Sequence, residues 1–371
     1  MTNPFFEEIH GRFGFGCMRL PMIDGHVDLE QFQKMVDAFM DAGLNYFDTA
    51  HVYIEGQSET ALRECLTTRY PRQSFVLTNK LSGGCFEKEA DIRPLFQSQL
   101  NACGVEYFDF YLMHAQHAGN FPKYKACRAY ETAFALKAEG RIRHVGLSFH
   151  DKAEVLDQIL TEYPEIEAVQ MQFNYLDFED PMVQSRKVYE TALRHGKPVI
   201  VMEPVKGGRL VQLPKEAQQC FDSLGGGSSA SYALRFAVGF ENMMMVLSGM
   251  STLEQMKENL TVMTPPAPLT DEENEAVCQA REIIRRYSLI ACTACRYCVD
   301  GCPQRIPIPD LFSCQNAVTS GTDEDHEALY AAYTDGKGKA SSCVKCGVCE
   351  ASCPQHLPIR NLLRHISFTF E

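Results

Sequence analysis

The sequence predicts an α/β chain: a closed (β/α)8 barrel followed by a smaller, mostly helical, cysteine-rich domain. Three observations predict it. Eight strand-like runs alternate with eight helix-period stretches, a proline-rich break follows them, and the composition then shifts towards cysteine.

The short apolar or β-branched runs fall at residues 12–15, 45–47, 75–78, 109–113, 144–147, 168–172, 198–201 and 244–247. Each leads through a polar loop into a helical candidate, at 29–42, 58–70, 92–103, 124–138, 152–162, 181–195, 228–238 and 252–263. Gly43, Gly104, Gly140 and Gly196 follow helices where a C-terminal cap is expected. A doubly wound open sheet is the competing fold, but it places a glycine-rich phosphate turn after its first strand. Gly11-Arg-Phe-Gly-Phe-Gly16 does not make that turn, nor does it open a helix. Gly225–Ser229 reads as a flexible loop before the seventh helix. Pro265-Pro266-Ala267-Pro268 reads as a linker, and Thr270-Asp-Glu-Glu273 as a capping box opening a helix through Tyr287. Short helices are expected at 310–318, 323–333 and 358–366. The boundaries are therefore a barrel over 1–264, a linker and connecting helix over 265–282, and a cysteine domain over 283–371.

Composition narrows the function. The chain has 371 residues and a formal net charge of −13, with acidic and basic residues interspersed, which argues against a nucleic-acid partner. No signal-peptide h-region opens it and no run approaches a membrane span, so a cytoplasmic protein with no membrane partner is expected. Sixteen cysteines without an export signal point to metal rather than disulfides.

Eight of them form two runs. Cys292-x2-Cys295-x2-Cys298-x3-Cys302-Pro303 is followed, after 40 intervening residues, by Cys343-x2-Cys346-x2-Cys349-x3-Cys353-Pro354. This is the spacing of two-cluster ferredoxins, in which the fourth cysteine ligates the other cluster. Cys292, Cys295, Cys298 and Cys353 are then expected to hold one 4Fe–4S cluster, and Cys302, Cys343, Cys346 and Cys349 the second. Zinc is the competing ligand, but it needs neither the third cysteine nor the proline of each run. The segment resembles the two-cluster domains of anaerobic redox enzymes, its long helical insert looking more like the α-helical ferredoxin type. Of the other eight cysteines most are expected to be buried small hydrophobes, with Cys314 nearest the clusters.

On a barrel, chemistry sits at the C-terminal ends of the strands. Those ends carry Asp48-Thr49-Ala50-His51-Val52-Tyr53, then Lys80, then His114. An ammonium beside a tyrosine is expected to favour phenolate and lower the phenol's pKa, with Asp48 holding Lys80 charged and His114 orienting a carbonyl oxygen or relaying a proton. His51, His117 and His150 also fall at strand ends.

With these residues in place, the chain over roughly 10–262 resembles the aldo-keto reductase family. It carries that family's DTAxxY (Asp48–Tyr53), its strand-end lysine (Thr78-Asn79-Lys80) and its histidine (Tyr111-Leu112-Met113-His114). Counterparts of GxSxx (Gly146–His150), of the strand-six glutamine (Val169-Gln170) and of the closing helix (Met256-Lys-Glu-Asn259) are also present. With its cysteine domain it looks like the ferredoxin-tailed branch. The resemblance implies a nicotinamide-dependent carbonyl reductase with Tyr53, Lys80, Asp48 and His114 as catalytic residues. It further implies that Ser148 and Gln170 hold the carboxamide, that Pro204, Lys206 and Gly207 approach the pyrophosphate, and that Ser248, Gly249, Glu258 and Asn259 surround the adenosine end. Three positions depart from the family. Phe149 replaces the asparagine after the GxS serine, and Met202 replaces the aromatic that stacks on nicotinamide. Gly249 and Gln255 stand where NADPH-preferring members place lysine and arginine, which favours NAD(H) over NADP(H).

Clusters pass single electrons whereas nicotinamide delivers a hydride, so direct wiring requires a flavin or a partner. The chain has no linear flavin fingerprint, although a barrel binds flavin phosphate without one. Three functions compete. The first is a carbonyl reductase exchanging electrons with a ferredoxin-like or flavoprotein partner, the second the same enzyme with structural or switching clusters. The third is a non-catalytic, nicotinamide-sensing electron-transfer or regulatory subunit, which the intact Asp48/Tyr53/Lys80/His114 set argues against.

Overall fold

The computed structural model describes residues 3–224, 227–287, 289–321 and 325–371. Eight parallel strands close into a barrel: β1 (Phe13–Gly16), β2 (Tyr46–Asp48), β3 (Val76–Leu81), β4 (Phe108–Gln116), β5 (Ile142–Phe149), β6 (Ala168–Gln172), β7 (Val199–Met202) and β8 (Met243–Ser248). Each strand pairs with its sequence neighbours, and β8 pairs with β1. The runs are almost wholly apolar because the strands are buried on both faces, so they show no alternation.

The register places the polar strand ends at one rim. Asp48 pairs beside Gly16 and Thr78, Lys80 beside Leu112, Ser148 beside Gln170, and Ser248 beside Phe15. The barrel interior is closed by an apolar cluster that includes Tyr46, Phe110, Leu112, Ile200 and Met245, with Ile9, Phe5 and Phe6 from the N-terminal segment packed into it. Asn45 fastens that segment, accepting from His10 N at 2.8 Å and donating to the Glu8 carbonyl at 2.9 Å.

Gly43, Gly104, Gly140 and Gly196 all take positive φ after their helices, as expected. Three of the expected helices differ in extent. The expected helix over 58–70 is α-helical only at Gln57–Leu62 and continues as a π turn, Arg63–Thr67. The expected helix over 124–138 is two helices, Phe121–Ala126 and Ala129–Ala138, broken at Arg128, whose φ of 51° no helix accommodates. The helix expected from 181 begins only at Ser185. A small hairpin, Met22–Ile23 with His26–Val27, was not foreseen because two-residue strands carry no periodicity.

The chain divides into two compact units. One comprises Met1–Pro204 and Ala230–Leu269, the other Val205–Ser229 and Thr270–Glu371. This division is not linear: the segment after β7 groups with the C-terminal chain instead of with the barrel. Its helix Lys215–Asp222, absent from the sequence expectation, packs against the helix Asp271–Arg286. The latter starts with the capping box read from the sequence: Thr270 accepts from Glu273 N, and Glu273 accepts from Thr270 N. Further helices at Ile308–Ser320, His326–Thr334 and Ile359–Phe370 complete this unit. Gly225 of the expected loop and Asp323 of the expected helix lie outside the described residues. Among the described residues no helix is long and apolar enough to cross a membrane.

Ile9→Ala removes a fully buried side chain from the barrel floor. It is expected to cost about 2–5 kcal/mol of barrel stability, read as a lower urea midpoint by far-UV circular dichroism. An unchanged midpoint would show that the N-terminal segment is not part of the core.

Candidate active site and cysteine centres

The loop after β2 delivers Tyr53 back over the end of the barrel. Thr49 Oγ1 lies 2.7 Å from Ser58 Oγ, Ser58 donates to the Cys17 carbonyl at 2.8 Å, and Tyr53 N donates to the Ala50 carbonyl at 3.0 Å. Ile54 and Glu55 follow in the left-handed region, with φ of 50° and 54°. A β-branched residue there is strained, and such strain persists only where surrounding contacts enforce it.

Lys80 extends from β3 into this loop. Its Nζ donates to Asp48 Oδ1 at 2.6 Å, to the Thr49 carbonyl at 2.8 Å and to Tyr53 Oη at 3.1 Å. Three acceptors match the three protons of an ammonium. The Tyr53 oxygen accepts from Lys80, so its own proton is free to point elsewhere. On the far side of Asp48, Gln170 Nε2 donates to Oδ2 at 2.9 Å. His114, near the end of β4, sets its ring edge-on to Tyr53 with centroids 6.0 Å apart, and its Nδ1 lies 2.7 Å from Ser82 Oγ.

Burial sets the protonation states here. It raises the Tyr53 phenol well above its ordinary value, Asp48 adds to that, and Arg19 opposes it. The expected lowering by Lys80 therefore does not prevail: desolvation of a phenolate outweighs it, and Tyr53 is held protonated. Burial lowers Lys80 while Asp48 opposes the shift. Burial, reinforced by Lys80 and His150, keeps His114 well below its ordinary value, as a neutral imidazole. His51 is raised by its 2.8 Å hydrogen bond to buried Glu59, which also accepts from Asn79.

The other expected cofactor residues are spread around the rim. Ser148 Oγ accepts from Ala115 N at 2.9 Å, and Asn259 Nδ2 donates to Ser248 Oγ at 3.2 Å. Gly249 and Glu258 are exposed, while Gln255 accepts from Ser251 N. Pro204 closes the first unit, but Lys206 and Gly207 belong to the second. Lys206 is 1% exposed and donates from Nζ to Gln355 Oε1 at 3.1 Å. A Cβ at Gly207, whose φ is 65°, would stand 2.3 Å from the Thr293 carbonyl, so only glycine fits there. These two residues, expected at a pyrophosphate, are instead committed to the cysteine loops.

Sequence reasoning missed Arg19, Glu203 and Ser82. Arg19 follows β1, its charge reaches Tyr53, and its backbone carbonyl accepts from Ser251 Oγ at 3.0 Å. Glu203 follows β7 and accepts from Gln172 Nε2 at 3.0 Å. All three lie just past strand ends, the signal that identified Lys80, but no recognisable motif surrounds them.

The second unit contains two recesses, each with four cysteines. Cys292, Cys295, Cys298 and Cys353 line one; Cys302, Cys343, Cys346 and Cys349 line the other. Each fourth cysteine lines the recess formed by the first three of the other run. Burial raises the Cys298 thiol, and Cys295, Cys292 and Cys353 add to the shift; Cys349 is pushed up to about 11 by burial, Glu350 and then Cys343. Four thiolates crowded round one space repel one another, and a cationic iron–sulfide core is the group that relieves this. The donor set fits a 4Fe–4S cluster in each recess. Of the remaining eight cysteines, Cys17, Cys65, Cys103, Cys127 and Cys314 are buried, Cys85 and Cys220 partly so, and Cys278 is exposed. Cys314 lies in the apolar core that also packs Cys292, Cys302, Cys343 and Cys353.

Comparison with known proteins agrees with both halves. The aldo/keto reductase family model matches residues 12–282 and a 4Fe-4S dicluster domain matches residues 291–358. An uncharacterized oxidoreductase of Bacillus subtilis, YqkF, is 23% identical over 71% of this chain and 90% of its own length. The holo form of an aldo-keto reductase from Bacillus halodurans superposes with a TM-score of 0.61 at 24% identity, over 76% of this chain and 95% of that one. An aldo-keto reductase from Klebsiella pneumoniae in complex with NADPH gives 0.58 at 19% identity, over 74% and 90%.

If burial keeps His114 neutral, its ring will not titrate as pH falls through the ordinary value of 6.5. Histidine NMR with His114→Gln as the assignment control measures this. A resonance lost in that variant and titrating at or above 6.5 would contradict the buried geometry.

Proposed function

The chain belongs to the aldo/keto reductase family and carries a 4Fe-4S dicluster domain; from that premise we propose that it reduces an aldehyde or ketone with a nicotinamide cofactor while two 4Fe–4S clusters exchange electrons with a redox partner. The observation that carries this reading is the three-way donation of Lys80 to Asp48, Thr49 and Tyr53, which leaves the phenol proton directed away from the lysine. When bound, the nicotinamide would supply both electrons to the carbonyl as a hydride, and the clusters would pass single electrons to and from the redox partner, outside that step. Tyr53 gives its proton to the carbonyl oxygen as the hydride reaches carbon. Lys80 then faces the resulting phenolate at hydrogen-bond distance, stabilising the negative charge where it appears.

His114 orients the substrate oxygen. A proton from Ser82 to Nδ1 would leave Nε2 as the donor, the tautomer this role needs. Ser148 and Gln170 are assigned to the carboxamide, Pro204 to the chain beside the pyrophosphate, and Ser248, Gly249, Glu258 and Asn259 to the adenosine end. Gly249 has no side chain and Gln255 is engaged with Ser251, which favours NAD(H) over NADP(H), while Arg19, whose side chain lies against Gly249, is the cation that a 2′-phosphate would meet. The thiolate-rich clusters support work in the cytoplasm at low oxygen.

Tyr53→Phe is expected to lower NAD(P)H-dependent turnover of a panel of aldehydes by about 10²–10⁴-fold and to leave the visible and electron paramagnetic resonance spectra intact. Cys298→Ser is expected to remove the signal of one cluster. Full turnover by the Tyr53→Phe protein would refute the assigned proton donor.

A further inference from the structure

We propose that the surface around the second recess, at Cys302, Cys343, Cys346 and Cys349, is the docking site for a small, acidic, one-electron carrier protein. The inference deepens the proposed function and rests on its reading of the clusters as redox-active.

The two recesses differ in cover. Beside the first, Lys206 is buried and donates to Gln355, which lines the recess, and Gly207 packs on the Thr293 carbonyl. The Val205–Gly208 loop thus covers that side of it. The loop bearing Gly338 packs beside the second at Gln304, but among the described residues the edge at Val344 and Cys346 stays open. Cys346 is exposed, Val344 on the recess wall is 58% exposed, and Val348 is 44% exposed. Electron tunnelling decays steeply with distance, so a carrier must seat where a cluster edge reaches the surface.

Charge identifies the carrier. From Asp335 to Glu371 there are five basic side chains, Lys337, Lys339, Lys345, Arg360 and Arg364, against three acidic ones, Asp335, Glu350 and Glu371. The whole chain has 35 basic and 48 acidic residues, which leaves 30 against 45 elsewhere. This segment is the basic end of an acidic protein.

Two of its three carboxylates are engaged. Glu350 pairs with Arg360 at 2.7 Å, and Glu371 accepts from Tyr330 at 2.6 Å and from Ser341. Lys337, Lys345 and Arg364 have no ion-pair partner among the described residues.

Two of the basic groups lie at the recess itself. Lys345 lies between two ligands, and Arg360 lines the wall. The loop bearing Lys337 packs on the rim, where a Cβ at Gly338 would stand 2.3 Å from the carbonyl of Gln304, another wall residue. Arg364 lies one turn beyond Arg360 and sets its guanidinium over Phe368, which is 75% exposed. Exposed Val344 and Val348 on a segment of net positive charge match a carrier whose own cluster or flavin edge is rimmed by carboxylates. One electron leaves the reduced carrier, which is oxidised, and enters the cluster, which is reduced; no bond forms or breaks.

The test is anaerobic stopped-flow reduction of the intact holoprotein by a reduced acidic ferredoxin, with calorimetric binding of the same carrier as a second readout. The rate constant and affinity are expected to fall about 10-fold or more from low to high salt. A similar loss is expected in Lys337→Glu/Arg364→Glu and, beside the ligands, in Lys345→Glu. Reduction by dithionite and the cluster resonance should stay unchanged in the first variant. Clusters present but reduced at a rate indifferent to salt and to charge reversal would overturn the docking site alone. So would equal reactivity towards a basic cytochrome, or retention on anionic vesicles or single-stranded DNA with a salt-indifferent carrier reaction. No cluster signal after oxygen-free reconstitution would overturn the functional reading and the docking site together.

Discussion

The Lys80 ammonium is removed from water, and each of its protons ends on an oxygen from a different source: a carboxylate, a backbone carbonyl and a phenol. A buried cation is tolerated only when so satisfied, and deleting one partner of such a pair typically costs about 3–5 kcal/mol. The requirement explains much around it. Asp48 must end β2, the Thr49 carbonyl must turn inward, and the strained Ile54–Glu55 turn must bring Tyr53 back. Gln170 then occupies the second Asp48 oxygen from across the barrel, leaving that carboxylate satisfied on both sides.

The same burial explains the protonation pattern. A phenol and an imidazole in a dry site both favour their neutral forms, so Tyr53 keeps its proton and His114 does not gain one. This suits a proton donor beside an uncharged orienting group. In the proposed reaction the ammonium would act after transfer, when negative charge lies on the phenol oxygen.

The cysteine unit is organised by a comparable constraint. Thiolates repel when gathered, so eight of them are divided between two recesses, and the exchange of Cys302 and Cys353 ties the runs together. The short helices Tyr297–Asp300 and Val348–Ala351 lie against each other, with Gly301 packed so close to the Val348 methyl that a Cβ there would force the valine to shift. Arg360 reaches Glu350 beside the second recess, whereas Arg296 pairs with Asp310 beside the first.

Strand order, the eight strand–helix units and the helix-closing glycines were legible because each depends on local periodicity and φ preference. The cysteine runs were legible because ligand spacing is set by the cluster itself. Asp48, Tyr53, Lys80 and His114 could be placed at strand ends from the same periodicity. The broken helices at Arg63 and Arg128 were not, since a π turn and a left-handed residue leave no compositional mark.

Sequence alone therefore determined what local interactions control: the fold class, which polar residues stand at the strand ends, and the spacing of the two cysteine runs. Tertiary structure decided what depends on long-range burial. It made Tyr53 a firm phenol despite its lysine neighbour, moved Lys206 and Gly207 from an expected phosphate loop to the cysteine unit, and left the Cys346 edge exposed while covering the first recess on one side. Desolvation is a property of the finished packing, and no residue carries it in its own spacing.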